Sequence, residues 1–415
     1  MNERILLTNG NLLTCAGDPA EKPSPGDLLI EGERIAAVSL GRKMEGVDAR
    51  IVDVQGATVL PGLSDAHTHI SWPLDFVFDH AGVATSAPQK HILDAAAVAR
   101  TFLESGYTLI IGAGVLQPED DVLIKDFIDR GLMAGPRIVP SGPMVTAQGA
   151  LGADSPWMQV ATNVREIRDI VSGQCDTGVR AVKLFISGDG ILPEFPSTDT
   201  YMDDEMLRAA VDAADKYGAI ITVHARSSES VAMAARTGVQ LIHHACFIDD
   251  NAMNALEARR DDVWVCPGMH YLYAMVHGHA DPWGMTPDRL ERSGYRTELD
   301  ALIEGYRKMH AAGIKILAGG DFGHQWTHHG TYAAELQRYV ELLEMAPIEA
   351  IHTATRHTAG LVGLPTGQLQ ESYLADVVIL DGDPTDDITV LLAPERRRAV
   401  MKGGAFAYLN PHLYP

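Results

Sequence analysis

Two histidines one residue apart, His67 and His69, close the run Val59-Leu60-Pro61-Gly62-Leu63-Ser64-Asp65-Ala66-His67-Thr68-His69. In an extended segment, side chains at i and i+2 project to the same side, so both imidazoles can reach one metal ion. A lone His-x-His pair has an ordinary explanation as hydrogen-bonded core histidines. Ionisable residues, however, recur at the ends of other apolar runs. Lys183 lies inside Arg180-Ala181-Val182-Lys183-Leu184-Phe185, where an ammonium is costly to bury unless paired or neutralised. The run from Ala219 ends in His224, the run from Val239 ends in His243 and His244, and the run from Ile316 ends in Asp321. Taken singly, Lys183 could snorkel, His224 could be a core histidine and Asp321 could cap a helix. Such placements on five runs are hard to explain by packing alone.

The elements that must position these residues follow from the texture of the chain. Between the two ends, β-rich runs alternate with helical patterns, as in βα units around a parallel sheet. Candidate strands end near His67, Gly112, Pro140, Lys183, His224, His244, Cys266 and Gly319. Eight such units predict an α/β fold, a (β/α)8 TIM barrel, whose active sites lie at the C-terminal ends of the strands. Helices are expected over Asp203 to Tyr217, which starts with acidic residues, and Ser230 to Thr237. Pro156 and Trp157 fall in a long insertion before the fourth barrel strand. Short strands at both chain ends are too few to bury a sheet face separately, so they are expected to pair into one small β-sandwich. The expected division is 1–58 plus 368–415 for the sandwich and 59–367 for the barrel.

Composition narrows the function. The chain has 415 residues, 46% of them hydrophobic and 21% charged, which is ordinary for a folded protein. Its formal net charge of −22 argues against nucleic acid or anionic membranes as partners. The opening residues lack the apolar core of a signal peptide, no stretch is long and apolar enough to span a bilayer, and the four cysteines are widely spaced. A cytoplasmic protein with reduced thiols is the expectation.

On the segments LPGLSDAHTH, VKLF, TVHA, LIHH, GGD, HGTYAAEL, EAIHTATRHTAGLVGL and LADVVIL, the chain resembles the metal-dependent amidohydrolase superfamily. It is most similar to the branch holding imidazolonepropionase-like proteins, Xaa-Pro dipeptidases and ochratoxinase. The resemblance implies that His67, His69 and Asp321 bind one divalent metal, and that His224 and His244 bind a second. It also implies that Lys183, as a carbamate, bridges the two. His243 falls one position before the ligand and is read as supporting it. Zinc is the commonest metal for such a donor set, with manganese and cobalt as alternatives. A two-metal site of this kind holds a hydroxide and polarises a carbonyl, while Asp321 takes a proton and delivers it to the leaving nitrogen. Asp321 and Lys183 are thus the catalytic candidates.

Substrate contacts are expected on the loops after barrel strands: Arg226, His270, Tyr271 and His329, with Tyr201 in a loop before a helix. A carboxylate could be held there by Arg226 or by the Tyr271 and His270 pair, although a surface salt bridge explains Arg226 as well. His328 reads as a loop residue, and Tyr271, Tyr273, Trp283 and Trp326 could line a pocket or simply pack. Arg226 stands where small residues or His are frequent in this branch, which argues against dipeptidase specificity. The expected substrate is a small molecule with an amide-type bond: an N-acyl or N-aryl amide, a carbamate, a urea or a dipeptide. A deaminase or cyclic-amide hydrolase on the same scaffold is a rival that Lys183 disfavours. A catalytically silent scaffold, or a solute-binding barrel, would lack metal and turnover. A homo-oligomer is expected from the resemblance.

Overall fold

The computed structural model describes residues 3–72, 74, 87–192 and 194–411. It is an α/β fold in which two parallel sheets stand between the strands contributed by the chain ends. One parallel sheet has three strands, Leu63–Thr68, Tyr107–Gly112 and Arg137–Val139. The other has seven, in the order Met158–Ala161, Met144–Ala147, Ala181–Phe185, Ile220–Ala225, Leu241–His244, Trp264–Cys266 and Lys315–Ile316. A strand is therefore present at each of the eight expected positions. The insertion holding Pro156 and Trp157 adds two more, because Met158–Ala161 pairs in parallel with Met144–Ala147.

The sheets meet at both edges through isolated bridges. At one edge Thr68 bridges Phe322, and the amides of Ala66, His69 and Asp321 donate to Ala318, Phe322 and His67 carbonyls over 2.8–3.0 Å. At the other, Ser141 bridges Ala181, and the amides of Arg180 and Ala181 both donate to the Pro140 carbonyl. The first seam has a local cause. A Cβ at Gly319 would lie 2.6 Å from the His67 amide nitrogen and from Cys266 Sγ, so only glycine lets the last strand approach the first this closely.

The helices between strands start and stop where side chains satisfy their free backbone ends. Asp204–Asp215 is capped by Asp203, whose carboxylate accepts from the Met206 amide at 2.8 Å, and its first turn carries Asp204 and Glu205. Ser228–Thr237 is capped by Ser227 and ends at Gly238, in the left-handed region at φ 97°. No helix among the described residues is long and apolar enough to cross a membrane. The four cysteines are free and buried.

The two chain ends pair into one hydrogen-bonded sheet of eight strands; among the described residues it is not divided into two sheets. Thr58–Pro61 is the reason. It pairs with Asn11 and Leu12 on one side and with Val377–Leu380 on the other, stitching N-terminal and C-terminal strands together. Leu7, Leu28, Ile30, Val59, Val377 and Ile379 fill a core separate from the main one. Arg137 ties this sheet to the parallel strands, donating to Asp376 at 2.9 and 3.1 Å.

Candidate metal centre

Six side chains from five strand ends converge at one end of the parallel sheets, all almost fully buried. His67 Nε2 lies 3.4 Å from Asp321 Oδ1 and 3.3 Å from Lys183 Nζ, and His69 Nε2 lies 3.2 Å from the same Asp321 oxygen. Donor atoms of His67, His244 and Asp321 fall within 4.8 Å of one another. The rings of His224 and His244 meet edge to face at 4.5 Å.

Hydrogen bonds fix which nitrogen each ring presents. His69 Nδ1 donates to the Gly114 carbonyl at 3.2 Å, which leaves the Nε2 lone pair facing Asp321. His224 Nε2 donates to the Gly188 carbonyl at 3.1 Å and leaves Nδ1 as its acceptor. His243 Nε2 donates to the Ala66 carbonyl, and its Nδ1 sits 2.5 Å from Lys183 Nζ while its ring stacks on His67 at 3.8 Å. His243 therefore supports Lys183 and His67 from behind. Asp65 accepts from the His67 and Gly320 amides and locks the first strand to the turn before Asp321. Asp321 at that turn, and His244 and Ala245 at the end of their own strand, take positive φ.

Burial sets the protonation states. It pushes the imidazoles of His67, His224, His243 and His244 well below their usual range, so they are neutral near pH 7 and can donate lone pairs. Burial also pushes Lys183 down to about 7, against the pull of Asp321, so a neutral amine is accessible. For Asp321, burial opposes ionisation, but the neighbouring imidazoles of His67, His324 and His69 outweigh it and hold the carboxyl well below the usual range. The donor set thus fits divalent cations: neutral imidazoles, one carboxylate and an amine able to become a carbamate. Within this donor set, His67 Nδ1 and His244 Nδ1 are buried with no hydrogen-bond partner among the described residues.

The cluster floors a cavity whose walls include Trp72, Trp157, Met158, Phe185, Ile191 and Tyr271. Of the residues expected to touch substrate, Tyr271 lines this cavity, against His324 at 4.8 Å. Arg226 does not line it. Its guanidinium is 1% exposed and held by Glu298 at 2.5 Å and Asp189 at 3.1 Å, a buried ion pair rather than the surface salt bridge expected as the alternative. His270 donates its amide to Glu335 and lies against Phe322, His329 Nδ1 faces the Tyr332 hydroxyl at 3.1 Å, and Tyr201 stays outside the lining. Tyr273 stacks on His277 beneath Arg338, Trp326 packs on His324, and the Trp283 side chain lies outside the described residues.

Sequence reasoning missed His324, Trp72, Trp157 and Asp189, all of which line the cavity. For His324 a signal existed in the spacing Asp321-Phe322-Gly323-His324. For the tryptophans none did, since an aromatic residue in a loop reads equally well as packing.

A profile of the amidohydrolase family matches residues 58–406. Ochratoxinase of Aspergillus niger is 24% identical over 383 residues, covering 86% of this chain and 77% of that protein. A Xaa-Pro dipeptidase structure with bound methionine superposes with a TM-score of 0.87 at 23% identity, covering 98% of this chain and all of that one. A prolidase structure complexed with N-methylphosphonate-L-proline gives 0.85 at 25% identity, over 98% of this chain and 100% of that chain. Since the profile spans most of the chain and the buried donor cluster lies within it, this protein belongs to the amidohydrolase family and is a hydrolase of carbon–nitrogen bonds.

Proposed function

We propose that the chain is a binuclear-metal hydrolase of N-acyl or N-aryl amides, carbamates or ureas, or dipeptides, with an apolar group beside the scissile bond. The observation that carries this reading is the convergence of His67, His69, Lys183, His224, His244 and Asp321 in one buried cluster whose imidazoles are neutral. His67, His69 and Asp321 would hold one divalent ion, His224 and His244 a second, zinc being the commonest choice, with Lys183 bridging as a carbamate. Such a pair of ions supplies a nucleophilic hydroxide at neutral pH and polarises the carbonyl.

The chain's own residues do the rest. Asp321, held anionic, accepts a proton at its carboxylate and returns it to the leaving nitrogen, which departs as a neutral amine. Lys183 enters the reaction only after its neutral amine has captured carbon dioxide, a step that burial favours by keeping the proton off Nζ. Trp72, Trp157, Phe185 and Tyr271 exclude water and give an aromatic or aliphatic group a dry wall. The positioning frame in this reading is a (β/α)8 barrel over 59–367, supported by the bridges at both sheet edges, with the terminal strands of 1–58 and 368–415 as a second domain.

Metal analysis combined with an amine-release assay tests the proposal, using N-acyl amino acids, anilides, carbamates and dipeptides before and after chelation. About two divalent ions per chain and chelator-sensitive turnover are expected. A protein that binds no metal, even with added zinc and bicarbonate, would instead be a silent scaffold with a vestigial donor set.

A further inference from the structure

We propose that His324 is itself a metal ligand, acting with His69 and Asp321 on the side of the centre that faces the aromatic wall. The inference rests on the metal-dependent reading above and adds a donor to it.

The local sequence builds this position. His324 follows Asp321 by three residues, with Gly323 between them at φ 131°. A Cβ on Gly323 would lie 3.0 Å from His69 Cβ and 3.3 Å from the His69 carbonyl, so the chain can fold back over His69 only with glycine there. Thr327 closes the loop, its amide donating to the His324 carbonyl at 3.1 Å and its hydroxyl to the Asp321 carbonyl at 3.2 Å. His324 is thereby delivered to the cluster rather than to solvent.

The donor geometry matches one ion. His324 Nε2 lies 3.7 Å from Asp321 Oδ1, and His69 Nε2 lies 3.2 Å from the same oxygen. Donor atoms of all three residues fall within 4.8 Å of one another. Ligands bound at about 2.0–2.2 Å to a shared ion are themselves roughly 3–3.6 Å apart, a range that contains the His69 separation and falls just short of the His324 one. The three residues are buried, and His324 lines the cavity.

The ring is also held in place before any ion arrives. Trp326 stacks on it at 5.3 Å, Tyr271 meets it edge to face at 4.8 Å, and Trp72 meets it at 5.2 Å and 80°. An imidazole fixed by aromatic neighbours loses little freedom on coordination, which favours binding. Trp72 and Tyr271 also wall the substrate cavity, so a ligand at His324 would couple metal coordination to the apolar subsite.

Cobalt substitution of the full chain tests the assignment without relying on activity. In the wild-type protein, paramagnetically shifted imidazole signals are expected for each of His67, His69, His224, His244 and His324. His324→Gln is expected to remove one set, to alter the visible cobalt absorption, and to weaken one of the two ions on the order of 100-fold or more in chelator competition. His329→Gln, outside the cluster, serves as the control and leaves the spectra unchanged. Shifted signals in the wild type for the other four histidines without His324 would overturn the inference even if the variant fails to fold. So would an unchanged absorption spectrum in His324→Gln, because His324 would then act only by orienting Asp321. Either result leaves the metal-dependent reading standing, whereas a wild-type protein that takes up no cobalt or zinc overturns both.

Discussion

The strand ends around Asp321 and the eight-stranded terminal sheet both bury polar side chains, and they treat them in opposite ways. In the sheet, the Asp376 carboxylate accepts from Arg137 twice, from the Gly403 amide at 2.7 Å and from Thr366 at 3.3 Å. At the strand ends, His67 Nδ1 and His244 Nδ1 are buried without partners among the described residues, and His244 and Asp321 take left-handed backbone conformations. A carboxylate saturated in this way holds structure, whereas a buried donor left open beside a cavity is available to a ligand. The contrast assigns stability to the sheet and chemistry to the strand ends.

The strongest test of that division removes Lys183. Lys183→Ala is expected to lower turnover by at least on the order of 100-fold and to reduce metal retention, read by amine release and metal analysis on the same sample. Wild-type activity in this variant would end the bridging role. The matching change in the sheet, Asp376→Ala, leaves Arg137 unpaired and is expected to cost about 3 kcal/mol in urea unfolding, with turnover per folded molecule unchanged. A fall in turnover at full folding would show that the two regions are coupled.

A third test sharpens the boundary through pH. Burial pushes the Glu335 carboxyl up to about 7, although it accepts from the Met269 and His270 amides. Because its folded pKa lies above the unfolded value of 4.5, its contribution to stability is full below about 4.5 and is lost as pH rises through about 7. Urea unfolding across this range is expected to show a decline that Glu335→Gln flattens, by at most about 3 kcal/mol. The smallest effect is expected at the cavity wall. Trp157→Ala should raise KM for aryl substrates about 10-fold with little change in kcat, since it removes contact present in both ground and transition states.

Legibility in the sequence followed the range of the interaction. The eight parallel strand positions and the helices Asp204–Asp215 and Ser228–Thr237, the latter only from Ser230 onward, could be read because hydrophobic period and the acidic start of the first helix act within a few residues. The pairing of Met144–Ala147 with Met158–Ala161 could not, since two short strands in a Gly- and Pro-containing stretch carry little period. Arg226 shows the same limit at the site. Its partner Glu298 is 72 residues away, so nothing local distinguishes a substrate clamp from a buried ion pair.

By itself, the sequence determined the order of the chemical groups: His67 and His69 on one strand, then Lys183 inside an apolar run and His224, His244 and Asp321 each ending one. That order needs only the alternation of an extended chain and the burial of apolar segments. Tertiary structure alone decided which of these groups meet, that Asp189 and Glu298 hold Arg226 away from the cavity, and that Gly323 folds His324 back against His69. The physical reason is separation along the chain. Lys183 reaches His67 across 116 residues, and such contacts exist only once the parallel strands have brought their ends together.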